Sequence, residues 1–208
     1  MHRSPKRSVS DRQVLDAILD AGLVAHVAVV DEDGQPYVLP VAYARQGDAV
    51  LFHGSTASRL FRLLADGRPT CLTVTLLDGI VFARSAFNSS MNYRSVVVLG
   101  IARRLAGDEE LRALESIADH LTPGRWNVAR KPNAKERAAT MTLSLDLDEC
   151  SVKVRTGGPN DDEEDVADPT YGSIWAGTLP LNEAFGPAIA DEYSRDRPVP
   201  ESVRAWRR

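Results

Sequence analysis

Runs of alternating apolar and polar residues recur along the chain and are separated by short turn sequences. A period of two residues is typical of strands that bury one face. Turn signals such as Asp33-Gly34 and Asp78-Gly79 indicate antiparallel connections between neighbouring runs. Residues 93–100 are rich in apolar β-branched side chains, which favours a central strand there. The predicted strands cover residues 24–30, 35–45, 49–52, 70–76, 80–84, 93–106, 142–147 and 150–155.

Three other segments place apolar residues three and four positions apart, which is the period of an amphipathic helix. Ser10 and Gln13 have the spacing of a capping box, so a first helix is predicted over residues 11–21, ending at Gly22. Further helices are predicted near residues 57–66 and 108–121. Many strands with few helices predict a mainly β fold, a closed or split barrel. A parallel doubly wound sheet fits poorly, since it needs a helix after nearly every strand and a Gly-x-Gly-x-x-Gly loop after the first.

The composition limits the classes of protein to which this sequence can belong. The 208 residues, 43% of them hydrophobic, suffice for one domain with a sizeable core. A net charge of -4 argues against a nucleic acid as the main partner. Cys71 and Cys150 lack the spacing of metal ligands, so no metal site is expected. No apolar run suits a membrane helix and no signal peptide follows the basic start, so we expect a cytoplasmic protein with no membrane partner.

The two ends of the chain differ in character from its middle. Residues 1–9 are expected to form a flexible tail, residues 10–157 the barrel domain, and residues 158–208 a C-terminal extension. The acidic run at residues 161–165 is expected to be a solvated linker. The segment 174–181 is too apolar for a disordered tail. We therefore expect the extension to dock on the barrel or on a partner subunit.

The most informative local pattern is at residues 53–59, between the strand at 49–52 and the helix at 57–66. Small hydroxyl residues at a helix start leave backbone N–H groups pointing outward, and an arginine in the first turn adds a fixed positive charge. Such a segment can bind the phosphate of an anionic cofactor. An ordinary helix cap beside a surface arginine explains the same pattern. The residues concerned are Ser55, Thr56, Ser58 and Arg59.

Four further residues each have two interpretations. His53 follows an apolar strand and is either structural or a proton donor, because imidazole titrates near neutral pH. Lys153 and Arg155 alternate with valines and share one strand face, which either faces solvent or holds a cofactor or substrate anion. Trp175 is either a packing anchor or a cofactor contact.

Six segments follow one another in an informative order: residues 37–43, 51–55, 58–59, 92–100, 153–159 and 175–181. In this order they resemble the flavin-binding split-barrel family related to pyridoxamine 5'-phosphate oxidase, in particular its branch of nitroimidazole-resistance proteins. The resemblance spans about residues 10–181. The pyridoxamine phosphate oxidases themselves hold the substrate phosphate with a C-terminal arginine and histidine. Here the last histidine is His120, so oxidation of pyridoxamine phosphate is not expected.

The resemblance implies a six-stranded antiparallel Greek-key split barrel with peripheral helices, forming a homodimer with FMN in the clefts between subunits. Pro40, which has no N–H to give a neighbouring strand, would open a strand edge to the flavin ring. His53 resembles a histidine near the flavin and is the candidate catalytic residue. The implied cofactor-binding residues are Val38, Leu39, Pro40, Val41, His53, Ser55, Thr56, Ser58, Arg59, Tyr93, Arg94, Ser95, Lys153, Arg155 and Trp175.

We therefore expect an FMN-dependent oxidoreductase that acts on a small planar organic substrate. The flavin carries the redox chemistry, and the protein orients the reactants and tunes the ring. Two alternatives remain open. The protein is a flavin carrier or sensor without catalysis, or the barrel holds another planar cofactor such as haem or a deazaflavin.

Overall fold

The computed structural model describes residues 8–9 and 11–206, which form one curled antiparallel sheet flanked by short helices. Ten strands make up this sheet within the described residues. They are β1 (Ser8–Val9), β2 (Val24–Val30), β3 (Pro36–Gln46), β4 (Ala49–Ser55), β5 (Pro69–Phe82), β6 (Ser90–Ile101), β7 (Arg103–Arg104), β8 (Thr140–Asp146), β9 (Glu149–Arg155) and β10 (Gly177–Pro180).

Helices pack on both sides of the curled sheet. The first helix begins after Asp11, whose carboxylate accepts a hydrogen bond of 2.8 Å from the Gln13 N–H. Ser10, predicted to cap this helix, lies outside the described residues, and Asp11 is the cap. The α-helices are α1 (Arg12–Ala21), α2 (Arg59–Ala65), α3 (Gly107–Leu121), α4 (Arg125–Val128), α5 (Ala134–Ala138), α6 (Glu163–Ala167) and α7 (Glu201–Arg204).

The strand order is β1-β9-β6-β5-β2-β3-β4-β8-β7, and β10 pairs with β5 off this path. Every neighbouring pair is antiparallel. The predicted mainly β split-barrel fold is confirmed. The structure has more strands than the six that the resemblance implies. The additional strands include the short β1, β7 and β10, none longer than four residues.

Two predicted strands, at residues 70–76 and 80–84, are one strand in the structure. β5 continues through the predicted turn because a bulge between Leu77 and Gly79 absorbs the irregularity. A Cβ at Gly79 would lie 2.7 Å from the carbonyl oxygen of Leu179, so only glycine lets β10 approach β5 this closely. The strand predicted at residues 49–52 also runs on to Ser55, and the following helix begins at Arg59.

Apolar side chains pack on both sides of the strands β3, β4 and β8. One cluster fills the inside of the curl and includes the fully buried Phe52 and Leu143. A second cluster joins Leu51 on the outer side to Ala113 and Ile117 of α3. Burying a side chain of this size contributes about 1.5–3 kcal/mol, so α3 is firmly held on the outer side of β3 and β4.

Both ends of the chain contact the sheet. Ser8 and Val9, expected in a flexible tail, pair with β9, while residues 1–7 lie outside the described part. In the acidic run, expected to be solvated, the Asp161 side chain is only 6% exposed and pairs with Arg84 at 2.7 Å. The extension reaches the barrel through the pairing of β10 with β5. Among the described residues, no helix is both long and apolar enough to cross a membrane.

Candidate functional site

The loop between β4 and α2, predicted to hold a phosphate, already uses part of its hydrogen-bonding capacity. The Ser55 hydroxyl accepts from the Ala57 N–H at 3.1 Å. The N–H and hydroxyl of Thr56 both donate to the carbonyl of Ala139, at 3.0 and 3.3 Å. Ser58 caps α2 through its backbone only, and its side chain makes no capping hydrogen bond. The first turn of α2 therefore lacks a side-chain cap, which leaves its N–H groups available to a ligand.

Arg59 is positioned by contacts that the sequence did not reveal. Its guanidinium pairs with Asp31 and lies 5.9 Å from the centroid of the Tyr37 ring. Asp31 is 3% exposed and also accepts from the N–H groups of Asp33 and Gln35, at 3.0 and 2.9 Å. The Arg59 side chain is 54% exposed. Asp31 thus fixes the arginine while leaving much of it open to an anion from solvent.

Residues 38–41 were predicted to line a flavin ring, but their side chains point alternately to the two faces of the sheet. Leu39 and Val41 pack against the apolar cluster inside the curl. Val38 and Pro40 point to the outer side and are exposed, with Pro40 opposite His26 of β2. Only Val38 and Pro40 can therefore touch a ring on the outer surface with their side chains.

Four predicted residues do come together on β6 and β9. Tyr93 is directly opposite Arg155, and Ser95 is directly opposite Lys153. Directly opposed residues point to the same face, and here it is the outer one, because the neighbouring Val96 is buried inside. Arg155 donates to the side chain of Asn92. These four side chains form a polar, cationic patch, which we call the β6–β9 patch.

The Arg94 side chain lies on the opposite face of β6 from those of Tyr93 and Ser95. Its guanidinium is bidentate to Asp78, with N···O distances of 2.6 and 2.9 Å. This hydrogen-bonded carboxylate raises the pKa of Arg94. Arg94 lines a cavity of about 360 Å³ that Leu181 and Glu183 of the extension also line. The structure does not bring Arg94 to the β6–β9 patch, because alternate residues of a strand point to opposite faces.

Trp175 lies where the extension meets the barrel. Its ring is 5.9 Å from that of Phe82 at an interplanar angle of 54°, a tilted aromatic contact. A Cβ on Gly177 would come within 2.8 Å of the indole, so the glycine lets the ring fold over the backbone of β10. The side chain remains 68% exposed. Trp175 has a packing contact and also a large free surface.

The predicted flavin contacts fall into two groups on strands that are not neighbours in the sheet. Val38, Pro40 and the loop before α2 belong to β3 and β4, whereas the other group is the β6–β9 patch. β5 and β2 separate β6 from β3 in the sheet. At a strand spacing of about 4.8 Å, β6 and β4 are roughly 19 Å apart along the sheet. The two groups are therefore not adjacent in the sheet of one chain.

His53 lies on the outer side of β4, below the helices α3 to α5. It lines a cavity of about 430 Å³ together with Ile117, Trp126 and Arg137. Burial lowers the pKa of the His53 imidazole, so the ring is neutral at neutral pH. Its Nδ1 atom is buried and has no hydrogen-bond partner among the described residues. A neutral imidazole facing a cavity can accept a proton or ligate a metal ion.

Three residues around these sites were not found by sequence reasoning. Asp31 looked like a turn residue, and Arg137 looked like one of many charges between the predicted helix and strand. Thr142, on β8, is opposite His53 and fully buried. Only the alternation of Thr142 with Met141 and Leu143 marked it as facing away from the core, and that pattern carries no chemical signal.

The sequence matches the pyridoxamine 5'-phosphate oxidase family over residues 11–154, so the chain belongs to this family. The predicted resemblance is confirmed. A comparison with curated proteins finds no match.

Among solved structures, the chain is similar to a Mycobacterium smegmatis protein described as binding FAD and haem. The two are 38% identical over 96% of this chain and 97% of that chain, with a TM-score of 0.89. The flavocytochrome Anf3 of Azotobacter vinelandii is 42% identical over 96% of this chain and 92% of its own, with a TM-score of 0.88. A Bacteroides thetaiotaomicron protein named for 5-nitroimidazole resistance is 20% identical over 71% of this chain and 86% of its own, with a TM-score of 0.60, and shares the fold.

Proposed function

We propose that this protein is a flavocytochrome-like redox protein that binds a flavin and haem. The observation that carries the proposal is the 38% identity, over nearly the full length of both chains, to a protein described as binding FAD and haem. The 42% identity to a flavocytochrome supports it independently. A bound flavin supplies one- and two-electron transfer, and the protein supplies binding, orientation and electrostatics.

The flavin is FAD rather than FMN in this proposal. FMN was the expectation from the family resemblance, whereas the relative at 38% identity is described with FAD. Both cofactors carry a phosphate next to the ribityl chain, and the uncapped start of α2 with Arg59 is placed to receive it. Val38 and Pro40 would support the ring on the outer face of β3.

The flavin site is completed by a second copy of the chain. Along the sheet of one chain the β6–β9 patch is four strand positions from β4, so we assign the two groups of one flavin site to different copies of the chain. The outer face between them exposes large apolar side chains, as expected of a surface that another protein covers. These side chains are Val24, Val30, Val38, Leu99 and Ile101.

Mixed dimers test this arrangement. We expect Arg59→Glu and Lys153→Glu each to abolish flavin binding in a homodimer, because both sites then carry one reversed charge. A mixed dimer, isolated with two different affinity tags, has one site with both changes and one with neither, so it should bind flavin at one of its two sites. Absorbance of the bound flavin per dimer measures this. A monomeric wild-type protein, or mixed dimers without flavin, would contradict the homodimer.

Haem is the second cofactor, and it changes the expected reaction. A flavin beside a haem can pass single electrons to it, which favours electron transfer over direct reduction of a planar organic molecule. The residues present suit haem at the cavity beside His53, since haem iron is commonly held by a histidine in an apolar pocket. Turnover of a small planar substrate stays a prediction, to be measured with a nicotinamide donor.

Identification of the released cofactors tests the proposal. The protein is purified from cells supplied with a haem precursor, denatured, and its small molecules are separated and weighed by mass spectrometry. We expect FAD and haem. FMN or a deazaflavin in place of FAD would correct the flavin assignment, and a protein that neither contains nor takes up any flavin would overturn the proposal.

A further inference from the structure

Three unpartnered polar groups are concentrated at one place outside the barrel. Among the described residues, the buried side-chain polar atoms without a hydrogen-bond partner are His53 Nδ1, Thr142 Oγ1 and Arg137 Nε. Buried polar atoms in folded proteins are nearly always paired, and each exception calls for an explanation. Here all three exceptions belong to neighbouring residues, which indicates a missing ligand rather than scattered defects.

Two of the three residues line one cavity, and the third, Thr142, lies opposite one of them. His53 and Thr142 are directly opposite each other on β4 and β8, so their side chains share the outer face. His53 and Arg137 both line the cavity of about 430 Å³, a volume within the range of small-molecule and cofactor sites. Its remaining walls are mainly apolar and come from α3 and α4. They include Leu114, Ile117, Ala118, Leu121 and Trp126.

Charges are present at this cavity, but most are already compensated. Arg130 pairs with Glu136 at 2.6 Å, and this contact, with the backbone of Asn133, lowers the pKa of Glu136 to about 2. Arg137 pairs with Glu110 through Nη2 at 2.9 Å, which leaves its Nε–H unused. A ligand for this cavity therefore needs a large apolar body, a group that binds neutral imidazole, and an acceptor near Arg137.

We propose that this cavity is the haem site, with the His53 imidazole as the iron ligand and Thr142 as its positioning residue. Metal-bound histidine usually donates its second ring N–H to an oxygen, which fixes the tautomer. In this proposal the hydroxyl of Thr142, which is opposite His53 and has no partner of its own, would accept from His53 Nδ1 and leave Nε2 for the iron. Arg137 is the candidate partner of a propionate. This inference rests on the proposed binding of haem.

The other histidines of the described residues fit an iron site less well. His120 Nε2 is 2.6 Å from the carbonyl oxygen of Gly22, and its ring contacts Tyr43 at a centroid distance of 5.5 Å. His26 is exposed on the outer side of β2, away from α3 to α5. His53 alone among these three lines an apolar cavity, and His26 provides a matched control for its removal.

The test is to measure haem and flavin content in wild-type protein and in variants. His53→Ala is expected to lose the Soret band and at least about tenfold of the haem affinity, with flavin content and the far-UV circular dichroism unchanged. His26→Ala should keep haem, because His26 is on another face of the barrel. In His53→Gly, added imidazole should restore a six-coordinate or five-coordinate haem spectrum. Ala118→Trp, which places a large side chain on the α3 wall of the cavity, should also exclude haem.

The outcomes separate this inference from the proposed function. Wild-type protein with flavin but no haem after reconstitution overturns the haem part of the function, and this site with it. A His53→Ala variant that keeps haem and the wild-type Soret band overturns the site alone. Loss of flavin together with haem in a folded His53→Ala variant places His53 at the flavin and overturns the site as well.

Thr142 gives a test that a merely structural role would not pass. Thr142→Val keeps the shape of the side chain but removes the hydroxyl, so haem affinity should fall about tenfold and the iron–histidine vibration should shift to lower frequency. Thr142→Ser should restore both. An unchanged vibration in Thr142→Val would contradict the positioning role.

Discussion

Replacing Gly54 by alanine should destabilise the fold by about 1–3 kcal/mol, the usual cost of overpacking a well-filled core. A Cβ at this position would lie 2.2 Å from one ring atom of Phe61 and 2.6 Å from two others. The Phe61 ring is 3% exposed and packs at 6.0 Å from Phe52, so it has little space in which to move. The added methyl must therefore displace buried aromatic packing.

Gly186→Ala is the matched control, since a Cβ at Gly186 has no atom within 4 Å. Its effect should stay within about 0.5 kcal/mol. Urea unfolding of the apo-protein measures both variants. Equal stabilities would show that Phe61 moves freely, and the account of Gly54 would be wrong.

Replacing Arg59 by alanine should weaken flavin binding by about 1.5–3 kcal/mol, because a charge-assisted hydrogen bond to the phosphate is lost. The dissociation constant Kd should rise by a factor of roughly ten to a hundred. The pair with Asp31 holds the guanidinium in place beside the start of α2. Asp31 keeps two backbone N–H donors in the variant, so its carboxylate remains hydrogen-bonded.

Quenching of flavin fluorescence on titration with apo-protein measures this change. Arg62→Ala is the control, because Arg62 is exposed on the same helix and lies one turn further from the loop. Asp31→Asn keeps an acceptor for the backbone but releases Arg59, so it should weaken binding less than Arg59→Ala. A Kd in Arg59→Ala equal to that of the wild type would refute the phosphate assignment.

Much of the fold was predictable from the sequence, because alternation along β2 and β3 directly reflects which side chains face the core. The continuation of β5 through Asp78-Gly79 was not predictable, because the same residue types are typical of a turn and of a bulge. The buried position of Asp161 was not predictable either. It depends on Arg84, which is 77 residues away in sequence.

The site was predictable only in part. The segment 53–59 was recognised from its residue types, but it divides between two faces in the structure. Gly54 packs on Phe61 inside the curl, while His53 faces the outer cavity. The pairing of His53 with Thr142 depends on strand register, which a single sequence does not reveal. The same holds for the distance between β4 and the β6–β9 patch, which led to the proposed second copy.

The absorption spectrum of the protein purified from haem-supplied cells shows directly whether it binds both a flavin and haem. We expect a flavin band and a Soret band in the same preparation, with close to one flavin and one haem per chain after reconstitution. A colourless protein that takes up neither cofactor would contradict the account.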